Sequence, residues 1–331
     1  MNKIDFVIPW VDGSDERWLK ERNSITNSNI TKTQYRDWGL LKYWFRMIEK
    51  NSPWVNNIFF VTWGHVPSFL NTKHPKIKIV KHEDFIPEKY LPTFSANVIE
   101  TNIHRIKGLS EKFVYFNDDV YMIKETSPED FFIDGIPCDS AISKPIVPAR
   151  YDTISNMMIN NIGIVNEHYK KNRSIKENKS KWFNYKYGVL NLLNLLFLPW
   201  DSFLGLYEQH TANSFLKSTF EEVWQLEYEH LDNTGKNKVR NFKTDVNQWL
   251  FKNWRIAKGE FVPRSINFSK YVMIKSEKEI IDIKAVFTRK KHSILCLNDH
   301  FEGGDDDLHE LIESIKEVFQ SEYPEKSEFE L

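Results

Sequence analysis

A chain of 331 residues is long enough for one large α/β unit or two smaller ones. With 45 Lys and Arg against 46 Asp and Glu, its net charge of −1 offers no global field for nucleic acid or an anionic membrane, so any basic surface must be local. Two cysteines, Cys138 and Cys296, exclude a disulfide framework, a four-cysteine zinc site and an iron–sulfur cluster, and suit a reducing compartment. The 12 glycines form neither G-x-G-x-x-G nor G-x-x-x-x-G-K, and His-Glu-x-x-His and G-x-S-x-G are missing. Ordinary dinucleotide-binding folds, P-loop NTPases, zincins and the usual α/β-hydrolases are thereby set aside. Met1-Asn2-Lys3 runs at once into Ile4 to Ile8, too short and interrupted a stretch for a signal peptide or membrane span, so a cytoplasmic protein is expected.

Apolar runs alternate with helical patterns through the first 120 residues, the pattern of βαβ units around a mostly parallel sheet. Strands are predicted at Ile4 to Ile8, Ile58 to Thr62, Ile77 to Lys81 and Phe113 to Phe116. A helix is predicted over Trp38 to Ile48, another over Asn97 to Ile106, and Ser127-Pro128-Glu129-Asp130 reads as a helix start. The rhythm breaks between Ala149 and Ser202. From Lys170 to Lys186 seven basic residues meet one acid, Glu177, and an apolar stretch from Val189 to Trp200 follows. The default reading is a solvated loop feeding a core helix, and the sharper one an interfacial segment resting on an anionic bilayer. Beyond residue 203 the sequence predicts a helix from a Thr219-to-Glu222 capping box towards Leu231, a helix over Lys243 to Ala257, a strand over Ser293 to Leu297 returning to the sheet, and a closing helix over Asp306 to Glu322. The expected arrangement is a Rossmann-like α/β fold in one domain, with a sheet-rich part at 1–127, a variable insertion at 128–203 and a helical part at 204–331.

Nearly every predicted strand is followed by a polar cluster: Pro9 to Asp15, Trp63-Gly64-His65, His82-Glu83-Asp84, Asn117-Asp118-Asp119 and Asn298-Asp299. Ligands of open parallel sheets bind beyond the carboxyl ends of strands, so these clusters should converge on one crevice. Gathered carboxylates such as Asp12, Asp15, Asp84, Asp118 and Asp119 would repel one another without a cation, and a hard divalent ion bridging them to a substrate diphosphate resolves this. For any single cluster the alternative is that Asp and Asn merely serve turns. Asp305-Asp306-Asp307, the formal D-x-D match, precedes an amphipathic helix and is better explained by the helix dipole.

Ile8-Pro9-Trp10-Val11-Asp12-Gly13-Ser14-Asp15 resembles the opening signature of the Stealth family of sugar-1-phosphate transferases. A second block runs from Arg36-Asp37 through Val61-Thr62-Trp63-Gly64, His82-Glu83-Asp84 and His104-Arg105-Ile106 to Asn117-Asp118-Asp119. A third is similar over Glu208-Gln209-His210 and Arg240 to Asn247, and a fourth over Cys296 to Asp299. Thr211-Ala212-Asn213 and Ser95-Ala96 depart from the family pattern.

The resemblance implies transfer of a hexose-1-phosphate or N-acetylhexosamine-1-phosphate from a UDP-sugar to a glycan hydroxyl, with UMP leaving. It implies Mg²⁺ or Mn²⁺ held by Asp118, Asp119 and Asp299. Donor or acceptor contacts would come from Asp12, Gly13, Asp15, Arg36, Asp37, His82, Arg105 and Asn298. The implied catalytic residues are Asp119, Arg240, which would neutralise charge on the transferred phosphoryl, and His210, which would take the acceptor's proton or hydrogen-bond the phosphate, with Asp84 competing for the base role. The acceptor would be a polysaccharide or lipid-linked glycan of the cell surface, with peripheral membrane contact at the inner face. The alternatives are a metal-dependent glycosyltransferase releasing UDP and a non-catalytic glycan-binding protein.

Overall fold

A computed structural model describes residues 3–26, 35–150 and 153–331. Of the segments read from sequence, Met1-Asn2 and Tyr151-Asp152 lie outside the described residues.

The amino-terminal half is built as expected. Strands β1 (Ile4–Pro9), β2 (Ile58–Thr62), β3 (Ile77–Lys81) and β4 (Lys112–Tyr115) are joined by helices α1 (Glu16–Ile25), α2 (Leu41–Asn51) and α3 (Ala96–Asn102). They run parallel in the order β3-β2-β1-β4, and β8 (Asn213–Leu216) closes the edge antiparallel to β4. The three inner strands β2, β1 and β4 are buried on both faces because both faces are covered, while the edge strand β3 exposes Lys78 and Lys81. Ile4, Phe6, Ile8, Ile58, Phe60 and Val114 point into one core, with α2 and the carboxyl-terminal helix. Val7, Phe59, Val61, Phe113 and Tyr115 point into the other, with α3 and the later helices. A period of two along each strand thus sorts side chains between two cores.

Several boundaries and one connection differ from the sequence expectation. The second predicted helix stops at Asn102 and tightens into a single 3₁₀ turn over Ile103–Arg105, and Ser127 to Asp130 close a capping box around one 3₁₀ turn rather than starting a helix. Thr219 caps nothing. It is buried inside α8 (Lys217–Leu226), and the chain breaks at Glu227 before α9 (Tyr228–Lys236). The helix expected from Lys243 begins only at Trp249 (α10, Trp249–Lys258), because residues 241 to 247 wrap Asp245 in a turn. The late strand does not return to the main sheet. As β11 (Ile294–Asp299) it lies between β5 (Val120–Met122), antiparallel, and β10 (Ser269–Ile274), parallel, in a separate three-stranded sheet. A third small sheet joins β6 (Phe132–Ile133), β7 (Ile136–Asp139) and β9 (Val262–Pro263).

The insertion carries α4 (Ile154–His168), α5 (Lys171–Glu177), α6 (Lys179–Trp182) and α7 (Asn191–Leu196); α11 (Glu279–Arg289) precedes β11, and α12 (Asp305–Glu322) closes the chain on α2. The three acids Asp305-Asp306-Asp307 occupy the first turn of α12, as the dipole argument requires. No described helix is long and apolar enough to cross a membrane.

Candidate active site

The turn between β4 and β5 is the centre of the site. Leaving the main sheet at Tyr115 and entering the small sheet at Val120, the chain places Asn117, Asp118 and Asp119 where the two sheets meet. Leu297 of β11 donates its backbone N–H to the Asp119 carbonyl at 2.9 Å, which locks the turn. Register brings in the histidine. Tyr115 pairs with Asn213 in the antiparallel β4–β8 ladder, so the chain three residues before Asn213 lies opposite the chain three residues beyond Tyr115. His210 therefore faces the acids: Asn117 Nδ2 lies 2.6 Å from His210 Nε2, and Asp119 Oδ1 lies 3.5 Å from the same nitrogen. With the Asn117 amide as donor, Nε2 is the acceptor nitrogen of the ring. Tyr271 of β10 stacks on the ring at 6.2 Å, and Gln209 donates to the Ile266 carbonyl at 2.8 Å, fixing the approach of the chain.

Asp118 is open to solvent at the cleft mouth. Desolvation by the cleft walls, then the charges of Asp119 and Asp37, push its carboxyl up to about 7. Asp119 Oδ1 is sealed from solvent and accepts no hydrogen bond, while Asp119 Oδ2 receives only the Cys296 thiol at 3.6 Å. The thiol is pushed well up by burial and by Asp119, so it stays protonated. Asp119, His210 and Cys296 present ligand atoms within 4.8 Å of one another.

The loop after β1 forms the neighbouring wall. Asp12 accepts the Ser14 hydroxyl at 2.6 Å and donates its N–H to His65 Nε2 at 2.8 Å. Asp12, Asp37 and Trp10 line a cavity of about 970 Å³ that extends between α2 and α12. Gly13 is required by sterics, since a Cβ there would lie 2.4 Å from the Tyr35 carbonyl oxygen. Asp15 is the N-cap of α1, accepting the N–H groups of Arg17 (2.9 Å) and Trp18 (3.1 Å), and with the Arg17 guanidinium these hold it at about 2. His65 Nδ1 faces Asp15 at 3.5 Å, and burial, helped by the charge of His65, holds His82 down at about 4.

Arg240 is exposed, over the Phe242 ring, in a loop whose Lys238 carbonyl accepts the Phe94 N–H. Its charge is felt by Glu100, whose carboxyl burial raises and which accepts from Gln248 N (3.1 Å) and from the Tyr115 hydroxyl (3.4 Å) at the end of β4.

Several expected site residues are placed elsewhere. Both oxygens of Asp299 are engaged, by Arg36 (3.0 and 3.2 Å), Trp38 Nε1 (3.1 Å) and Phe301 N (3.0 Å), and it stands outside the ligand cluster. Asp299 thus clamps the segment carrying Arg36 and Asp37, and like Asp118 it stands outside the Asp119, His210 and Cys296 cluster. Asp84 is exposed and caps its own turn, accepting from Lys81 N at 2.7 Å. Arg105 is committed to Asn102 (2.9 Å) and to the face of Trp224 (4.6 Å). Asn298 lies within β11 opposite Met273, half-buried. The sequence reading placed Asn117 and His65 in the converging clusters without giving them a role, and it missed Tyr271 and Glu100. Of these two, Glu100 had a signal, a carboxylate at the inward helical spacing of Asn97 and Thr101.

A family model described as Stealth protein CR1, conserved region 1, matches residues 2–29, and Stealth protein CR2, conserved region 2, matches residues 34–138. Capsular polysaccharide phosphotransferase WcwK of Streptococcus pneumoniae is 41% identical over 338 residues, covering 100% of this chain and 98% of its own. The chain belongs to the Stealth family. Exopolysaccharide phosphotransferase cps2G of Lactiplantibacillus plantarum is 37% identical over 331 residues, covering 99% of this chain and 96% of its own. This Stealth protein is, like these full-length relatives, a phosphotransferase. Among solved structures, the galactosyltransferase LgtC covers 96% of this chain and 95% of its own at a TM-score of 0.39 and 10% identity, too remote to bear on activity.

A divalent ion fits the Stealth cleft on its donor chemistry. A sealed carboxylate oxygen with no hydrogen bond and an adjacent carboxyl destabilised by like charge are what a cation would satisfy. Hard ions such as Mg²⁺ use one or two carboxylates plus substrate phosphates, which suits Asp118 and Asp119. A protonated thiol is no ligand for such an ion, so Cys296 is a neighbour that donates to Asp119.

Proposed function

We propose that this Stealth phosphotransferase moves a hexose-1-phosphate or N-acetylhexosamine-1-phosphate from a UDP-sugar to a hydroxyl of a cell-surface polysaccharide or lipid-linked glycan, at the cytoplasmic face of the membrane, and releases UMP. The observation that carries the reading is the set of Asn117, Asp118, Asp119 and His210 at one turn, a proton acceptor beside paired acids. The names of the full-length relatives support it.

In this reading the acceptor oxygen attacks the phosphorus that bears the sugar. The bond from that phosphorus to the oxygen bridging to UMP breaks, the electron pair leaves with UMP, and the acceptor proton passes to His210 Nε2. Asn117 orients the ring and gives up its hydrogen bond to that nitrogen as the proton arrives, and Tyr271 stacks on the ring. Asp118 and Asp119 would hold Mg²⁺ or Mn²⁺, which when bound neutralises the diphosphate. Arg240 supplies fixed positive charge to the transferred phosphoryl group. Asp12 and Asp37 take donor hydroxyls at the mouth of the neighbouring cavity.

Incubation of the protein with Mg²⁺, a panel of UDP-sugars and a cell-surface glycan acceptor, followed by identification of the nucleotide, tests this. UMP with a phosphate-linked product is expected. UDP would make the protein a glycosyltransferase and refute the proposal.

A further inference from the structure

The insertion contains a helix turned inside out. In α7 the polar Asn194 is buried, its Oδ1 accepting Ser143 N at 2.6 Å and its Nδ2 donating to the Ala141 and Trp182 carbonyls at 2.8 and 2.7 Å. Leu192, Leu195 and Leu196 face solvent. With Tyr185, Val189 and Trp200 they make six large apolar side chains between 49% and 85% exposed within sixteen residues. The segment is held in this posture. Trp182 and Tyr187 are fully buried, Asn191 Nδ2 bridges the Asn184 and Gly188 carbonyls, and Lys171 donates to the Phe197 carbonyl at 2.7 Å. Soluble surfaces rarely keep such a patch without something to cover it.

Charge identifies the cover. No acid occurs between Glu177 and Asp201. Of the basic run, Lys171 is buried, and Lys181 and Lys186 are tied to the Gly259 and Pro263 carbonyls. Lys170, Lys176 and Lys179 are exposed, as is Arg173, which pairs with Glu177 at 2.8 Å. Lys170 adjoins the patch directly, because Lys171 N donates to the Asp201 carbonyl. Leucines flanked by an exposed Trp, an exposed Tyr and lysines suit a phospholipid surface of negative charge, where the apolar chains enter the headgroup boundary and the ammonium groups meet phosphate.

We infer that the outward face of Tyr185 to Trp200, with Lys170, Lys176 and Lys179, docks the protein on an anionic bilayer. The inference deepens the lipid-linked acceptor of the proposed reaction, but its evidence is independent of the catalytic residues. Ten residues separate Trp200 from His210, so the bilayer contact lies within about 33–36 Å of the catalytic histidine along the chain. Residues 204 to 207 pair with the backbone of 142 to 146, which fixes the chain leading from the docking segment to His210. A glycan anchored by its lipid in the same bilayer would meet the cleft without leaving the surface.

Cosedimentation of the full chain with phosphatidylcholine vesicles containing phosphatidylglycerol, and with pure phosphatidylcholine vesicles, tests the inference. Binding to the anionic vesicles is expected, weakening with added salt. Leu192→Glu with Leu195→Glu, and separately Lys176→Glu with Lys179→Glu, should each weaken it by about tenfold or more. All these side chains are exposed, so unchanged thermal melts are expected to confirm the fold. Transfer to a water-soluble acceptor should be unaltered in the leucine pair, which keeps this test separate from that of the catalytic reading. Wild-type protein that stays in the supernatant with anionic vesicles, or a leucine pair that binds them as well as wild type, overturns the inference. So does a dimer in sedimentation velocity that the leucine pair dissociates, since a second copy would then be the cover.

Discussion

Asp118→Asn should make the protein more stable and inactive at once. In the metal-free fold Asp118 ionises against the cleft walls, Asp119 and Asp37, and its carboxyl stands at about 7 rather than 3.8. A shift of that size corresponds to about 4 kcal/mol for a sealed group; because Asp118 is open to solvent, about 1–2 kcal/mol is the reasonable share. The native state holds the proton more tightly than the unfolded state. Stability therefore falls as pH rises from about 4 to about 7, and the cost is complete above that. In chelator at pH 8 the variant should melt roughly 2–4 °C above wild type, with the gap shrinking towards zero as pH falls to 4. Mg²⁺ or Mn²⁺ at 100 times its dissociation constant should add about 2.7 kcal/mol to wild type and distinctly less to the variant. Thermal and urea unfolding at both pH values, with and without metal, read all of this. A variant destabilised at pH 8 in chelator, or one stabilised by metal as much as wild type, would refute the repulsion argument.

His210→Ala should lower kcat by about 10²-fold or more with a smaller change in the donor KM, whereas Asp84→Ala should keep activity within about threefold; a steady-state comparison of the two decides which is the base. Arg240→Ala should likewise reduce kcat by about 10²-fold, and Arg105→Ala should lower the melting temperature and spare kcat, because its guanidinium packs on Trp224. Burial between Phe220 and Trp224, with nearby cationic charge, holds His104 at about 3. The native state thus binds fewer protons than the unfolded state below pH 6.5, so stability is lost as pH drops from 6.5 towards 3, by about 2 kcal/mol at pH 5. His104→Phe should flatten the pH dependence of the unfolding free energy between 7 and 5, and an unchanged slope would count against it.

The sheet was readable because strands covered on both faces carry one uniform signal. Ile58 to Thr62 and Ile77 to Lys81 are bounded in the structure where the apolar runs end. The carboxyl-terminal half resisted because its polar residues answer to tertiary partners. The Thr219–Glu222 spacing satisfies the rule for a capping box, yet Leu216 leads directly into the helix from β8 and Thr219 is swallowed into the core. Asp245 holds Asn97, Asn237 and Asn241 N, and so delays a helix whose propensity begins at Lys243. The same limit applies at the site. Asp118, Asp119 and Asp299 all follow predicted strands, and only the fold shows that Asp299 meets Arg36 and Trp38, 261 residues and more away in the chain.

The insertion shows why amphipathic reasoning has to be tested against the fold. Read as a helix, Asn191 to Leu196 invites the conclusion that its leucines are core and its asparagines are surface. The structure assigns the opposite because three backbone groups, Ser143 N and the carbonyls of Ala141 and Trp182, need partners that only Asn194 can offer. A buried asparagine meeting three hydrogen bonds outweighs the exposure of one leucine, since an orphaned backbone group costs about as much as a leucine's burial contributes. That balance covers one leucine, and three are exposed. The remaining apolar area has no compensation among the described residues, which is the physical ground for seeking it in a bilayer.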